Sequence, residues 1–364
     1  EVSDDEPPPA DTERGGRRMT PHSRHESNLA WCYDAVQDVS RTFAITIAEL
    51  DEPMARDICV GYLVCRVADT IEDDDRIPPD EKATLLRAYR RALDTDAEAD
   101  AAAFGTAASE WVPADPDADW EVVDNADRVL STFRNLDADA RERIRPPVRE
   151  LVDGMAMFVD RYAEEGGLRI QTIDELEEYC WYAAGTVGTL VTNLVSQDAA
   201  PDVADQLDEN ARAFSLLLQL VNVAKDVAVD YEEENNVYLP EEWLEEAGVS
   251  AADIGAGRSV DALASVVERV TDHATGYLDG AQAWLEAMPE RRGNTLAAWA
   301  VPYLLAVGTI RELKARPKDV ITEGGVKISR EEVHAVIGQF ATGADADDVG
   351  RLREQIAERP LPEW

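Results

Sequence analysis

Two apolar helical segments of this chain each end in a pair of aspartates four residues apart. The first, residues 61–75, reads GYLVCRVADTIEDDD, and the second, residues 216–230, reads LLLQLVNVAKDVAVD. Residues i and i+4 share one helix face, so Asp69 and Asp73 project together, as do Asp226 and Asp230. Like charges at this spacing repel, and at the end of a buried helix they need a neutralising cation. The pattern therefore predicts a helix bundle in which two acidic helix ends face each other.

The cation that this pattern favours is Mg²⁺, because the available ligands are carboxylates. Four histidines and four cysteines show no metal-ligand spacing, so no zinc site is implied. Mg²⁺ is held by carboxylates, waters and phosphate oxygens, and Arg66, one turn before Asp69, is placed to meet a phosphate. Either segment alone is also typical of a solvated acidic helix end, but two apolar helices that both end in such an aspartate pair seldom arise by chance. The predicted metal ligands are Asp69, Glu72, Asp73, Asp226 and Asp230.

The rest of the chain predicts helices as well. No segment alternates with the period of two that indicates strands, and no glycine-rich nucleotide loop is present. We therefore expect an all-α fold with one domain over residues 27–343. A disordered acidic and proline-rich tail is predicted at 1–26, and a short C-terminal helix and tail at 344–364. Helix is predicted from Asn28 onward, with a variable helix and a loop over 95–122. The helices with predicted bounds cover 58–71, 122–136, 140–164, 173–196, 205–230, 260–287, 294–314, 330–340 and 348–358.

The charge balance excludes nucleic acid as a partner. The chain has 75 acidic and 35 basic residues, a formal net charge of −40, whereas phosphate backbones need a basic surface. The acid excess and the scarcity of lysine indicate adaptation to high salt, where charges are screened within ~3 Å at 1 M. We see no signal peptide and no apolar run of the ~18–20 residues that a transmembrane helix needs. We expect a cytoplasmic protein with at most a peripheral membrane contact for product release; no pattern indicates its oligomeric state.

A third segment, residues 178–193, places two glycines one turn apart inside a predicted helix. Glycine costs up to ~1 kcal/mol relative to alanine there, so the missing side chains at Gly185 and Gly188 should serve a purpose. Two explanations stay open, namely close helix packing and a bulky ligand against the backbone. Tyr179 and Tyr182 present hydroxyls on the same side, either as reactive groups or as ordinary core tyrosines.

These segments together resemble the squalene and phytoene synthase family over residues 28–335. The motifs that carry the resemblance are SRTF at 40–43, Y…R…DTIED at 62–73, GMAMF at 154–158, YC…AGTVG at 179–188, Q…N…D…D at 219–230 and YLP at 238–240. The resemblance implies the helical isoprenoid synthase fold, a single-domain bundle around a central apolar cavity. It also implies Mg²⁺-dependent head-to-head joining of two farnesyl diphosphates.

Within the family, the sequence is more similar to the squalene synthase branch, which passes through presqualene diphosphate and reduces it with NADPH. The DTIEDD motif, the 179–188 motif and the late segments AVP at 300–302 and GVKISR at 325–330 carry this similarity. The resemblance implies a proton-transfer role for Tyr179. It implies NADPH contacts by Asn222, Lys327 and Arg330. It implies diphosphate binding by Ser40, Arg41, Tyr62, Arg66, Gln219 and Lys225.

The sequence departs from the branch at four places. Lys225 stands where squalene synthases usually carry arginine, and Val229 stands where an acidic residue is usual. The flap YEEENN at 231–236 lacks the usual glycines and arginine, and Ser329 stands at the arginine position of the usual Lys-x-Arg. These departures affect the flap contacts and the phosphate end of NADPH, and they leave the metal carboxylates in place.

Three other functions compete with the squalene synthase interpretation. A phytoene or dehydrosqualene synthase would perform the coupling without hydride transfer. A terpene cyclase or hydrolase would use the same two metal clusters for other chemistry. A non-catalytic helical binding protein would keep the cavity and release no pyrophosphate.

Overall fold

The protein is all-α in the residues that its structure, a computed structural model, describes: 21–94, 98–290 and 293–362. Among them no β-strand is present, and an isolated parallel bridge joins Arg169 to Val237. The predicted helical fold is confirmed. The helices are α1 (Pro21–Val39), α2 (Arg41–Ala48), α3 (Met54–Asp73), α4 (Pro79–Asp94), α5 (Glu98–Ser109), α6 (Ala118–Asp124), α7 (Ala126–Arg134), α8 (Ala138–Arg161), α9 (Ile173–Cys180), α10 (Thr186–Val195), α11 (Pro201–Lys225), α12 (Val227–Glu233), α13 (Glu241–Glu246), α14 (Ala251–Gly255), α15 (Val260–Thr275), α16 (Leu278–Glu286), α17 (Leu296–Ala315), α18 (Asp319–Thr322), α19 (Arg330–Ala341) and α20 (Ala346–Glu358).

Helix α3 is buried along most of its length because apolar side chains occupy nearly all of its faces. Leu63, Val64 and Ile71 have no exposed surface, and α6, α7, α8 and α10 pack around the helix. Burial of each such side chain stabilises the fold by about 1.5–3 kcal/mol. Tight packing of the apolar part holds the acidic last turn of α3 at a defined place on the edge of the core.

Helix α11 is the second apolar helix, and it starts at Pro201, where a missing backbone N–H costs nothing. Its middle is buried against α10, α15, α16 and α17. The predicted helix 205–230 is interrupted at Asp226, whose φ of −110° and ψ of 12° end α11 before α12 begins. The amide of Asp230 still donates to the carbonyl of Asp226 at 2.9 Å, so the two aspartates remain one turn apart.

The glycines of the third segment serve close packing. A Cβ at Gly188 would lie 1.7 Å from Oγ of Ser215 on α11, and one at Gly185 would lie 2.3 Å from the Trp181 ring. Close helix packing is therefore observed at Gly188, whereas Gly185 packs against a ring of its own segment. Residues Trp181–Gly185 form a π-helical turn between α9 and α10, a feature that often marks functional positions.

Replacing Gly188 with alanine will destabilise the fold by about 1–3 kcal/mol, because the added Cβ overpacks the contact with Ser215 on α11. The matched control is Gly105→Ala in α5, where an added Cβ meets nothing within 4 Å. This control should stabilise the fold slightly, by up to about 1 kcal/mol. Urea unfolding in high salt measures both changes, and an undisturbed Gly188→Ala protein would contradict the packing described.

Several boundaries differ from the predicted ones. Helix α1 begins at Pro21, inside the predicted tail at 1–26, and residues 1–20 of that tail lie outside the described residues. The predicted helix 260–287 is divided at Gly276 into α15 and α16. Helix α4 lies in a stretch that was predicted as helical without bounds. Helix α20 starts two residues earlier than predicted, where Asp345 caps it with a capping box.

Helix α17 is long and apolar enough, by length and composition, to cross a membrane. It is 83% buried over its most apolar window, and α2, α11, α15 and α20 pack on it. Core helices of soluble proteins pass the same test, so this is weak evidence for a membrane span.

Candidate active site

The last turn of α3 gathers three carboxylates in an enclosed position. Glu72 is 2% exposed, and Asp69 and Asp73 are partly buried. Burial, followed by the charge of Asp69, raises the pKa of Asp73 to about 7. Burial and then the Asp73 carboxyl raise the pKa of Glu72. The turn is therefore a site of strong electrostatic repulsion when all three groups are ionised.

One carboxyl oxygen of Glu72 lacks a hydrogen-bond donor. Its Oε1 is buried and accepts no hydrogen bond, while Oε2 lies 3.4 Å from the hydroxyl of Tyr179. The nearby Lys82 donates to the backbone carbonyl of Glu72 rather than to its carboxylate. A buried oxygen without a donor costs about 1–3 kcal/mol, and more when charged, so this position favours a cation.

The second acidic helix end approaches the first. Burial, then the charges of Asp226 and Asp73, raises the pKa of Asp230 to about 8. Burial, then the charges of Asp73 and Asp230, raises the pKa of Glu234 to about 9. Asp73 on α3 thus acts on both residues, and a series of hydrogen bonds also connects Glu72 of α3 with Glu234.

The donor set suits Mg²⁺. All the clustered groups are hard carboxylate oxygens, one of them has no donor, and burial followed by mutual repulsion raises their pKa values. In the part of the chain that the structure describes, no three His, Cys, Asp or Glu side chains already stand together as a metal site. The residues thus fit a hard divalent cation by chemistry.

The predicted diphosphate-binding residues at the start of the chain form a group beside Asp69. Arg66 pairs with Asp69 and with Asp119 of α6, both at 2.7 Å. The Tyr62 ring stacks on Phe43 with centroids 4.0 Å apart. Ser40 caps α2 by accepting from the Phe43 amide. The exposed Arg41 begins α2 next to this group.

Tyr179 lies between the acidic end of α3 and the segment that follows α12. It is 4% exposed, and its hydroxyl is 3.1 Å from that of Tyr238. Its ring meets Phe158 edge-on at 5.4 Å. Burial, then the charges of Glu72 and Asp73, raises the pKa of Tyr179 well above its usual value. The hydroxyl is thus held in its protonated form among carboxylates.

The predicted residues of α11 differ in exposure: Asn222 is exposed and Gln219 is partly buried. Lys225 forms an ion pair with the neighbouring Asp226. Lysine and aspartate pair here at the point where the helix is interrupted.

The segment at 325–330, which begins with Gly325, contacts the second acidic helix end. A Cβ at Gly325, whose φ is +126°, would lie 3.1 Å from the carbonyl oxygen of Lys225 and 3.5 Å from Oδ1 of Asp226. The side chains of Lys327 and Arg330 are exposed beyond this contact. The carbonyl of Lys327 accepts a hydrogen bond from Arg316 at 3.0 Å. The segment is close to the acidic cluster, while its two basic groups face solvent.

Two pockets among the described residues can be compared with the predicted central cavity. One of about 420 Å³ is lined by residues including Arg90, Arg149 and Tyr182, and none of the predicted metal ligands lines it. The other, of about 20 Å³, lies beside Glu72 and Asn236 and has room for about one water molecule. Neither has the size and position of the predicted central cavity, which stays a prediction.

Sequence reasoning missed several residues of this site. Glu234 follows Asp230 at the same four-residue spacing that joins Asp226 to Asp230, so extending the pattern by one turn would have found it. The sequence gives no sign that Asp119 belongs to this site, because it lies on a different helix from Arg66. Asn236 was interpreted only as a departure from the flap pattern, although it is 4% exposed and hydrogen-bonded.

The description "Squalene/phytoene synthase" belongs to the family model that matches residues 36–332. The chain belongs to this family. Squalene synthase 1 of Panax ginseng is 27% identical over 88% of this chain and 72% of its own length. The squalene synthase of Schizosaccharomyces pombe is 25% identical over 85% of this chain and 64% of its own length. A relative described as inactive squalene synthase 2, from Arabidopsis thaliana, is also 25% identical, over 78% of this chain and 64% of its own length.

Solved structures show the same fold. A complex of TcSQS with a ligand superposes with a TM-score of 0.72 and 22% identity, over 91% of this chain and 98% of that one. A dehydrosqualene synthase gives a TM-score of 0.52 and 19% identity, over 93% and 98%. The fold is therefore that of the squalene and phytoene synthases, whose activities include prenyl transfer in isoprenoid biosynthesis.

Proposed function

We propose that this protein joins two farnesyl diphosphates head to head through presqualene diphosphate and then reduces that intermediate with NADPH to squalene. The observation that carries the proposal is the approach of two acidic helix ends beside the buried hydroxyl of Tyr179. Curated squalene synthases among the relatives support the same reaction.

The metal of this proposal is Mg²⁺, held by Asp69, Glu72, Asp73, Asp226 and Asp230. When bound, Mg²⁺ supplies charge stabilisation to a departing diphosphate. Basic side chains add to this stabilisation, since Arg66 pairs with Asp69 at the first acidic helix end and Lys225 pairs with Asp226 at the second. The exposed Arg41, which begins α2 next to Ser40, is the third proposed basic group. Ser40, Tyr62 and Gln219 complete the proposed diphosphate contacts. Removal of the diphosphate leaves an allylic cation, which the double bond of the second substrate attacks.

Tyr179 is the proposed group for the proton transfer that closes the cyclopropane ring of presqualene diphosphate: its oxygen accepts the proton that ring closure releases while its own proton moves to Oε2 of Glu72. Its hydroxyl is buried and protonated, and its ring packs against the rings of Phe158 and Tyr238. Such an enclosed setting excludes water, which would otherwise quench a carbocation. Electrostatic stabilisation in a water-poor site is usually the largest contribution to catalysis.

The reductive step is assigned to NADPH contacts by Asn222, Lys327 and Arg330. The contact of Gly325 with Lys225 and Asp226 supports a cofactor position near the second acidic helix end. Exposed basic side chains at Lys327 and Arg330 suit a phosphate-bearing ligand. The alternative is a phytoene or dehydrosqualene synthase, which couples without hydride transfer; Ser329 in the basic motif and the dehydrosqualene synthase fold match favour it.

The deciding experiment is an incubation of the purified protein with farnesyl diphosphate and Mg²⁺ in high salt, with and without NADPH, followed by mass analysis of extracted products. Squalene only with NADPH, and presqualene diphosphate or its dehydro products without it, is the expected result. The same coupled product in both tubes would assign the protein to the dehydrosqualene or phytoene branch. Absence of pyrophosphate release in both would refute enzymatic coupling altogether.

A further inference from the structure

Five side chains form a continuous hydrogen-bonded chain between the two acidic helix ends. The Tyr179 hydroxyl lies 3.4 Å from Oε2 of Glu72 and 3.1 Å from the Tyr238 hydroxyl. Nδ2 of Asn236 donates to the Tyr238 hydroxyl at 3.1 Å and to Oε2 of Glu234 at 3.2 Å. The chain therefore runs from α3 through Tyr179 to the segment after α12.

The direction of each hydrogen bond in this chain follows from its two ends. The backbone N–H of Leu168 donates to Oδ1 of Asn236 at 2.8 Å, which fixes the amide so that Nδ2 faces Tyr238. The Tyr238 oxygen thus accepts from Asn236 and keeps its own proton for Tyr179. At the other end, the Tyr179 hydroxyl donates a hydrogen bond to Oε2 of Glu72. Tyr238 is therefore the donor and Tyr179 the acceptor in the bond between them.

Packing prevents these groups from adopting other arrangements. Tyr179, Tyr238 and Asn236 are 4%, 8% and 4% exposed, and the two tyrosine rings lie 4.9 Å apart. A hydroxyl offers one proton and two lone pairs. The Tyr179 hydroxyl uses its proton in the hydrogen bond to Glu72, and one of its lone pairs accepts the hydrogen bond from Tyr238. One lone pair of the Tyr179 oxygen is left, and its direction is fixed.

We infer that Tyr238 and Asn236 are positioning residues that aim the hydroxyl of Tyr179. This assignment rests on the proposed function, because the aimed hydroxyl is the one assigned to the proton transfer of the coupling step. Asn236 acts at one remove: it orients Tyr238, which in turn orients Tyr179. Asn236 belongs to the flap segment that lacks the usual arginine, and here its side chain is turned inward toward the tyrosines.

Tyr238→Phe removes one hydroxyl and leaves the ring in place. We expect coupling of farnesyl diphosphate to slow about tenfold, the effect of losing one hydrogen bond that holds a reacting group. Reduction of supplied presqualene diphosphate with NADPH should stay within about twofold of wild type, because ring closure is already complete. Tyr89→Phe is the matched control: its buried hydroxyl donates to the carbonyl of Val64 at 2.7 Å, away from the site. It should leave both rates unchanged.

A double-variant cycle tests whether Tyr238 acts through Tyr179. Once Tyr179→Phe is present, adding Tyr238→Phe should cause no further loss of coupling. Multiplied losses in the double variant, or equal slowing of both half-reactions by Tyr238→Phe alone, would overturn the assignment while the proposed function stands. A wild-type protein that forms no coupled product would overturn the proposed function and this assignment together.

Discussion

Replacing Asp69 or Asp226 with asparagine will lower the turnover of farnesyl diphosphate by about 10³-fold or more while the fold remains intact. Each change keeps the shape of the side chain and removes the charge that a divalent cation needs. Loss of one preorganised electrostatic contact to a developing charge costs ~10²–10³ in rate, and loss of a metal ligand compounds it. Release of pyrophosphate, followed in high salt with Mg²⁺, measures the effect.

Stability measured alongside turnover separates this loss from unfolding. Asp69 pairs with Arg66, and Asp226 pairs with Lys225, but these pairs are partly exposed. Their loss should cost at most about 1 kcal/mol each. Asp75→Asn, at an exposed position just beyond the cluster, is the matched control and should keep near wild-type turnover. Normal activity in either the Asp69 or the Asp226 variant would refute the metal assignment.

The carboxylate pairs were predictable because helix geometry alone places residues i and i+4 on one face. Asp69 and Asp73 sit on one continuous helix, so the spacing was sufficient there. The pair Asp226 and Asp230 stays one turn apart although the helix is interrupted at Asp226. The interruption itself has no strong local signal, since no proline or glycine stands at that position.

The polar chain through Tyr179 was not predictable from local patterns. It joins Glu72, Tyr179 and Tyr238, which are separated by 107 and 59 positions. Periodicity reports which face of a helix is apolar, and it does not report which residue of another element meets that face. The exposure of the Asn222 side chain could not be predicted for the same reason, although its helical spacing is regular.

The second expected effect concerns stability. Asp230→Asn will stabilise the metal-free protein by on the order of 2 kcal/mol at pH 8 and above, although it removes a proposed ligand. The wild-type carboxyl is buried beside Asp226 and Asp73, which raises its pKa to about 8. Asparagine has no charge to bury, and no hydrogen bond of Asp230 is lost to offset this gain among the side-chain bonds described. Strain of this kind is typical of functional sites.

The sign of the pH dependence follows from the raised pKa. In the unfolded chain an aspartate has a pKa of ~3.9, so between about pH 4 and pH 8 the folded protein binds a proton that the unfolded chain releases. Wild-type stability should therefore fall as pH rises through this range. Asp73 and Glu234, with pKa values of about 7 and 9, add to the fall. The Asp230→Asn protein should lose less stability over the same range.

Urea unfolding at pH 5, pH 7 and pH 9 in high salt, with and without Mg²⁺, tests this expectation. Without Mg²⁺ the free energies of unfolding of wild type and Asp230→Asn should be similar at pH 5 and diverge toward pH 9, with the variant more stable. Mg²⁺ should stabilise wild type more than the variant, because a ligand that binds only the folded state shifts unfolding by its affinity. Parallel curves at every pH, with an equal gain from Mg²⁺ in both proteins, would show that Asp230 neither repels its neighbours nor holds the cation.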